Sequence, residues 1–595
     1  MKFRTGDWAA LFTVVVFASA LGWFKTADPD FFFHLKIGQI ILDTTSLPDT
    51  NTLSAHFADY PWKNPSWLFQ AILALIFNKT GWLGISLLKI SLASALGAVV
   101  YRGSREAGAP SATALMISLF SLTVMRFAFT ERPHFFSMIF FGLTVLLAER
   151  LRKGERGLVF WALPVLFVIW TNIHFMNNFG LYYLLMVPLA EASQALAGKK
   201  PVPESSRILF LAFAASFLAS FVNPEGVYYL GYVWGRDHLE VSTMFNLGDL
   251  QWSYLDSHPN FYGLLLLAAA IFTVSGKNRD WPVAAAAFFF ICLGVRYRRA
   301  LPEAVIISAI LLAKSWPGAS GRRIYRYGVS ILGILFVSST VFAVRYDDNY
   351  PYRTGSGLNG EIYPVYAVDF VSENRLPAAI FNEFGVGGYV AWKLYPDYGV
   401  LQDGRIHAYP PEFLREFNNA YLEKRWPEFL DKYGINTGVI ATRFAPMVFP
   451  EDGWATVFWD GTFSVLLRRS AATPEFLQKN EYRFLKPGTP GVPSSDKERQ
   501  RLDYEIDKNL TESRDQNWRL LCYAAGAKLA LGNREEALNI LDLAESASQN
   551  EAVAWIEIGN GFLNAGEKER ARRAYEKALE INPAEEGLKE FMRNM

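Results

Sequence analysis

The chain has 595 residues, a formal net charge of +1 and a hydrophobic fraction of 51%. So balanced a charge leaves no electrostatic footprint for a polyanion, and no nucleic-acid partner is expected. The only two cysteines, Cys292 and Cys522, lie in regions of unlike composition, which argues against a disulfide framework, structural zinc or redox chemistry. The hydrophobic average covers two different solvents. Residues 1–345 are a succession of apolar runs broken by short charged connectors, and the remainder has the charges and turn residues of a water-soluble protein.

Apolar runs at 8–24, 81–101, 111–129, 134–148, 157–172, 179–196, 207–222, 261–276, 281–295, 300–315 and 328–344 predict about eleven membrane spans. The basic residues concentrate in the connectors Tyr101–Gly108, Glu149–Gly157, Gly198–Arg207, Ser275–Asp280 and Lys314–Tyr327. All five fall on one side when the spans alternate from an inside N-terminus bearing Lys2 and Arg4. An odd span count then puts everything after Val344 outside, which predicts a multi-pass protein of the bacterial inner membrane with a periplasmic C-terminal half. The first run has no small-residue cleavage site before Asp28, so it reads as an anchor rather than a removed signal peptide.

This topology places 25–66, Thr130–His134, Thr171–Asn178, Asn223–Asn260 and Arg296–Ala300 on the outer face. Six of the seven histidines, all but His407, lie in these stretches. His56, His238 and His258 follow from the length of the outer loops, whereas His134 and His174 sit in short connectors at the membrane rim, where lining and packing roles are both open. Short outer loops normally avoid positive charge, yet Arg126 and Arg132 flank one and Arg296, Arg298 and Arg299 crowd another. Either one span is miscounted or these arginines bind an anion, and since guanidinium forks match phosphate oxygens two at a time, a lipid phosphate or pyrophosphate is the natural candidate.

The loop 25–66 carries Ala27-Asp-Pro-Asp-Phe-Phe-Phe-His-Leu35, two acids and a histidine among aromatics at a membrane boundary. Carboxylates are costly to desolvate there and need a reason. The apolar spacing from Asp30 to Asp43 predicts an interfacial helix with Asp30 and His34 four residues apart on one face. A plainer role is also open to each acid: an Asx turn or helix cap for Asp28, and an acid at the helix N-terminus for Asp30.

Asp28-Pro-Asp30…His34-Leu, Gly38-Gln-Ile-Ile, Leu47-Pro48…Ser54, Trp62…Trp67-Leu68, Trp170-Thr-Asn-Ile-His174, Val222-Asn-Pro224 and Asn382…Gly387-Gly388-Tyr389…Asp403-Gly404-Arg405 occur in that order. Over most of residues 1–440 the chain thereby resembles the GT-C superfamily of polytopic glycosyltransferases, and most of all a bacterial group related to protein mannosyltransferases and lipid-A aminoarabinose transferases. The resemblance implies transfer of a sugar from a polyprenyl-phosphate-linked donor to an acceptor on the outer face. Carried onto this sequence, it makes Asp28 or Asp30 the general base, with Asp28 preferred because Asp30 has the competing role at the helix start. It makes His34 a residue that orients the base or touches the acceptor, and Arg132, His134, His174, Arg296, Arg298 and Arg299 phosphate-side candidates. A single displacement implies inversion at the anomeric carbon. Asp28, Asp30 and His34 alone would be a poor divalent-metal set, so no required metal or other cofactor is expected. The chain departs from the group at Asn51 and Ser66, where acids are expected, and schemes needing those carboxylates do not carry over.

Residues 346–485 mix short β-type runs with helical patterns, which predicts a small extracytoplasmic α/β domain. Gly385-Val-Gly-Gly-Tyr389 lacks the residues of a phosphate loop and reads as a tight turn. Asp403 and Arg405, in Asp403-Gly-Arg-Ile-His407, could face substrate, with an Asp-Gly turn the plainer reading. After a Pro/Gly linker at 486–496, Leu531-Gly…Ala537 and Ala565-Gly…Ala571 recur 34 residues apart, and Pro583 closes the second copy. Residues 497–595 therefore resemble tetratricopeptide (TPR) helical hairpins, a short array expected to lean on its neighbours and to hold a protein partner or acceptor. A non-catalytic scaffold for envelope assembly is the alternative to the enzyme.

Overall fold

A computed structural model describes residues 4–234, 252–254, 258–275, 279–316, 330–338, 353–486, 493–512, 517–548, 551–583 and 585–595. His238, most of the run at 328–344 and linker residues 487–492 lie outside the described residues. The chain forms two compact units, one of Met1–Thr50 with Pro61–Asn359 and one of Asn51–Tyr60 with Gly360–Met595.

The first unit is helical. Its helices are α1 (Thr5–Gly22), α2 (Phe31–Thr44), α3 (Trp67–Glu106), α4 (Ser111–Met125), α5 (His134–Arg152), α6 (Leu158–Ile173), α7 (Asn178–Ala197), α8 (Glu204–Ala219), α9 (Tyr229–Trp234), α10 (Pro259–Val274), α11 (Trp281–Arg296) and α12 (Leu301–Ser315). The predicted runs between 111 and 315 reappear as helices to within a few residues, because each is long, apolar and bounded by proline, glycine or charge. Asp280, for example, caps α11 by accepting the Val283 N–H at 3.2 Å. The amphipathic stretch beginning at Trp67 and the run at 81–101 join into α3, interrupted where Gly81 takes a left-handed φ of 57°.

Among the described residues, four helical segments, Thr5–Gly22, Trp67–Glu106, Ser111–Ala128 and His134–Arg152, are long and apolar enough to cross a membrane, and Leu158–Ile173, Pro259–Val274 and Trp281–Arg296 are shorter apolar helices. Their outward faces suit lipid rather than water. Trp8, Phe12 and Val16 stand exposed along α1, and Leu158, Trp161, Val165 and Ile169 along α6, each set at helical spacing. Helix α2 packs closely within its unit. Phe31, Phe32, Leu35 and Ile37 are fully buried, and a Cβ at Gly38 would lie 2.0 Å from the Gln70 carbonyl oxygen, so only glycine permits this approach to α3.

Where α5 and α12 end and α11 begins, charges are matched in direct contact. Arg152 pairs with Glu149 (2.8 Å), Glu191 (2.7 Å) and Asp280 (2.9 Å), and Lys314 with Glu149 (2.5 Å) and Asp280. The Tyr183 hydroxyl donates to Glu149 at 3.2 Å. Nearby sequence ends pair likewise, Arg105 with Asp7 at 2.7 Å and Arg150 with Glu106 at 2.5 Å.

The second unit contains a four-stranded sheet of order β1 (Ile380–Asn382), β2 (Thr437–Ala441), β4 (Phe463–Arg468), β3 (Trp454–Trp459). β1 and β2 are parallel, and the other two pairings are antiparallel. The run at Val400-Leu401 stays outside this sheet and bridges Ser54 instead, within the same unit. Gly387 opens a helix, Gly387–Leu394, and a Cβ there would meet the Gln402 carbonyl oxygen at 1.9 Å. Close approach, rather than a tight turn, is what that glycine supplies.

Helices Trp518–Ala530 and Arg534–Ala547 form one hairpin, and Ala552–Asn564 and Lys568–Ile581 a second. Gly532 and Gly566 end the leading helix of each with φ of 84° and 82°, and Gly559 lets the Tyr575 ring pack against its helix. Trp459 of β3 shares one hydrophobic cluster with Leu502, Ile506, Leu520 and Leu541, and its carbonyl accepts from Asn509 at 2.8 Å. The hairpins thus lean on both the sheet and the helix Asp496–Glu512, as a two-copy array requires.

Candidate functional site

Asp28 initiates the turn into α2. Its Oδ1 accepts the Asp30 backbone N–H at 2.9 Å, an Asx turn, and the side chain is otherwise clasped by Arg132, whose Nε lies 2.9 and 2.7 Å from the two carboxylate oxygens. The Asp30 carboxylate makes no cap hydrogen bond to α2. It lies 3.3 Å from an Arg132 terminal nitrogen, and its side chain is 17% exposed against 3% for Asp28. The Asx turn therefore falls to Asp28, while Asp30 stands at the N-cap of α2 without a side-chain cap bond.

Arg132 is presented by a tie beneath it. Glu131 and Lys89 form an ion pair of 2.6 Å with both side chains 2% exposed, and Lys89 also donates to the Phe24 carbonyl at 2.6 Å. One ammonium thus fixes the strand-like entry to Asp28 and the connector that carries Arg132. Burial pushes the Glu131 carboxyl above its usual range, and Lys89 opposes this.

The rim histidines meet. His134 opens α5, and its Nε2 lies 3.2 Å from Glu303 Oε1. The His174 ring centroid is 6.0 Å from that of His134. His174 Nε2 lies 3.3 Å from an Arg299 nitrogen and its Nδ1 2.7 Å from Ser137 Oγ, which also accepts from Trp170 Nε1 at 2.8 Å. A guanidinium only donates, so Nε2 must accept and the ring proton sits on Nδ1, directed at Ser137. Burial, then Arg299, His134 and His34, hold the His174 imidazole well below its ordinary 6.5, so it is neutral near pH 7.

His34 Nδ1 lies 3.1 Å from Gln70 Nε2, and Gln70 in turn accepts from Asn64 at 2.6 Å. The helical spacing predicted Asp30 and His34 as neighbours along α2, and the His34 backbone N–H bonds the Asp30 carbonyl at 3.2 Å, while the ring's Nδ1 faces Gln70 and the ring meets Phe69 edge-on. Of the three clustered arginines, Arg299 joins His174. Arg296 lies over the Tyr297 ring at 4.5 Å and Arg298 over Phe127 at 5.0 Å.

Asp403 and Arg405 belong to the second unit and are buried. They pair at 2.6 Å, and Arg405 donates at 2.7 Å to Asn51 Oδ1, while Asn51 Nδ2 donates to the Ala408 carbonyl at 2.7 Å. Their charges are spent inside the fold, and the amide at Asn51 completes the arrangement. Ser66 is buried just before α3 and receives no charge partner. Among the described residues, no three His, Cys, Asp or Glu side chains gather as metal ligands. Sequence reasoning missed Gln70, Ser137 and Glu303. The first two are neutral residues inside apolar helices, and Glu303 looks like an ordinary acid in a first helical turn.

The structural neighbours of this chain are GT-C glycosyltransferases. The apo oligosaccharyltransferase of Archaeoglobus fulgidus superposes with a TM-score of 0.50 at 10% identity, over 76% of this chain and 73% of that one. ArnT from Cupriavidus metallidurans bound to undecaprenyl phosphate gives 0.46 at 11% identity, over 79% and 100%, and the mycobacterial arabinofuranosyltransferase AftD gives 0.46 at 10%, over 79% and 40%. At these identities the likeness is one of fold. Residues 552–585 match the tetratricopeptide repeat family. No curated protein matches the chain by sequence.

Proposed function

We propose that this GT-C-fold chain is a membrane glycosyltransferase that moves a sugar from a polyprenyl-phosphate-linked donor to an acceptor hydroxyl or amide on the outer face of the bacterial inner membrane. The observation that carries the reading is that one connector presents both Arg132, paired with the two acids, and, two residues on, His134, whose ring neighbours His174 and through it Arg299. Attack on an anomeric carbon needs a proton acceptor beside the nucleophile, and the departing phosphate needs fixed donors for its growing charge. Asp30 is the better base on this geometry, being the more exposed acid and the one farther from Arg132. Asp28 orients Arg132. Arg299, fixed by neutral His174, serves the phosphate side. A cavity of about 220 Å³ lined by Asn177, Leu181, Tyr182, Phe213, Phe217 and Tyr229 is suited to an apolar chain, and Asn177 follows His174 by three residues. Direct displacement gives inversion, and none of these steps calls on a metal.

The test is substitution with abundance held constant. Asp30→Asn is expected to abolish glycan transfer while leaving folded protein at its normal level. Retained transfer in Asp28→Asn, Asp30→Asn and the double variant would sink the reading. Deleting 497–595 does not separate enzyme from scaffold, because it strips the Trp459 core. Surface changes on the second hairpin are the cleaner probe of a protein partner.

A further inference from the structure

Glu303 is the third residue of α12 and is fully buried. Its Oε1 lies 3.2 Å from His134 Nε2, and its Oε2 makes no hydrogen bond. A buried carboxylate with one oxygen unsatisfied is a costly thing to keep, and an apolar residue of that volume would pack there at less cost. Its character as a partner is what a leucine or glutamine lacks. A carboxylate oxygen facing a ring nitrogen accepts from it, so in the neutral ring Glu303 selects the His134 form with the proton on Nε2.

The neighbouring ring is fixed the other way. His174 meets a pure donor, Arg299, and therefore carries its proton on Nδ1. We propose that Glu303 is a positioning residue that holds His134 in the tautomer opposite to that of His174, so that His134 offers the donor substrate only an acceptor nitrogen, Nδ1. Resting on the transferase reading, this divides the rim. Arg299 and His174 serve the phosphate, which accepts hydrogen bonds, while His134 reads a hydroxyl or amino hydrogen of the sugar. His134 thereby leaves the phosphate side, the role that the family resemblance implied for it.

The test uses full-length protein in detergent with ¹⁵N-labelled histidine, the His134 signal identified by its loss in His134→Gln. The wild-type ring is expected to show Nε2 protonated and Nδ1 bare. Glu303→Gln should mix the tautomers, and Glu303→Asp should largely restore the wild-type signal. A wild-type ring with its proton on Nδ1, or a tautomer indifferent to Glu303→Gln, overturns the inference whatever the enzyme's substrate. In parallel, binding of sugar-free polyprenyl phosphate is expected to survive Glu303→Gln, while kcat/KM for the sugar-linked donor falls roughly tenfold to a hundredfold. Equal loss in both overturns the assignment of His134 to the sugar. Failure of the wild type to bind polyprenyl phosphate counts against the proposed function, and the tautomer result still decides the role of Glu303.

Discussion

The same helices end in two different kinds of polar chemistry. At the Arg152 end, two cations, Arg152 and Lys314, interlock with three acids, Glu149, Glu191 and Asp280, through contacts of 2.5 to 2.9 Å besides the Lys314–Asp280 pair. At the His134 end, Arg299 donates to an imidazole, a second imidazole rests on a half-satisfied acid, and a third meets an amide. Ion pairs that satisfy one another hold helices in place and have little left to offer a ligand. Imidazoles, amides and hydroxyls can exchange a proton or re-aim a hydrogen bond, which is what chemistry requires. The difference separates a lock from a site.

The largest expected effect lies at the site end. Asp30→Asn should lower transfer by roughly 10²–10⁴-fold, the usual worth of a general base, with the thermal midpoint unchanged. The reverse signature belongs to the lock. Arg152→Met strands buried acids and should cost on the order of 3–5 kcal/mol of stability while activity per folded molecule stays near wild type. If Arg152→Met instead removed activity from well-folded protein, the two ends would not be separable in this way. Arg299→Lys keeps the charge but loses the planar fork, and a rise in donor KM of about tenfold or more is expected, measured with sugar-linked lipid at fixed acceptor.

The smallest effects divide the ends along the pH axis. Burial and nearby cations push His174 well below 6.5, so the folded state binds fewer protons there than the unfolded chain. Its contribution to stability is complete above pH 6.5 and declines as the pH falls below that. Asp280 is pushed up by burial but pulled down further by Arg152 and Lys314, to about 2 from 3.8. Its contribution is complete above 3.8 and is lost as the pH falls toward 2. Thermal unfolding in detergent should therefore lose its slope below pH 6.5 in His174→Gln, and its slope below pH 4 in Asp280→Asn.

Much of this was legible in the chain. Uninterrupted apolar runs gave the helices because membrane-type packing leaves few other options, and the histidines at 134 and 174 drew together because both open or close a helix at the same rim. Repeating Leu-Gly and Ala-Gly pairs announced the hairpins, since a glycine after a helix relieves a left-handed turn. What stayed hidden was pairing at long sequence distance. Nothing local says that Arg132 will clasp Asp28, that Glu303 will find His134, or that Asp403 and Arg405 will spend their charges on each other and Asn51. Residue type announces that a partner is needed, but only the fold supplies it.

The central claim is that the acid-and-imidazole end performs glycosyl transfer with Asp30 as base. Mass spectrometry of envelope glycans and glycoproteins from cells carrying the wild type, Asp28→Asn, Asp30→Asn or the double variant, with protein abundance matched, tests it most directly. With Asp30 as base, a sugar-bearing species is present with the wild type and absent with Asp30→Asn. Persistence of every such species in the double variant would contradict it.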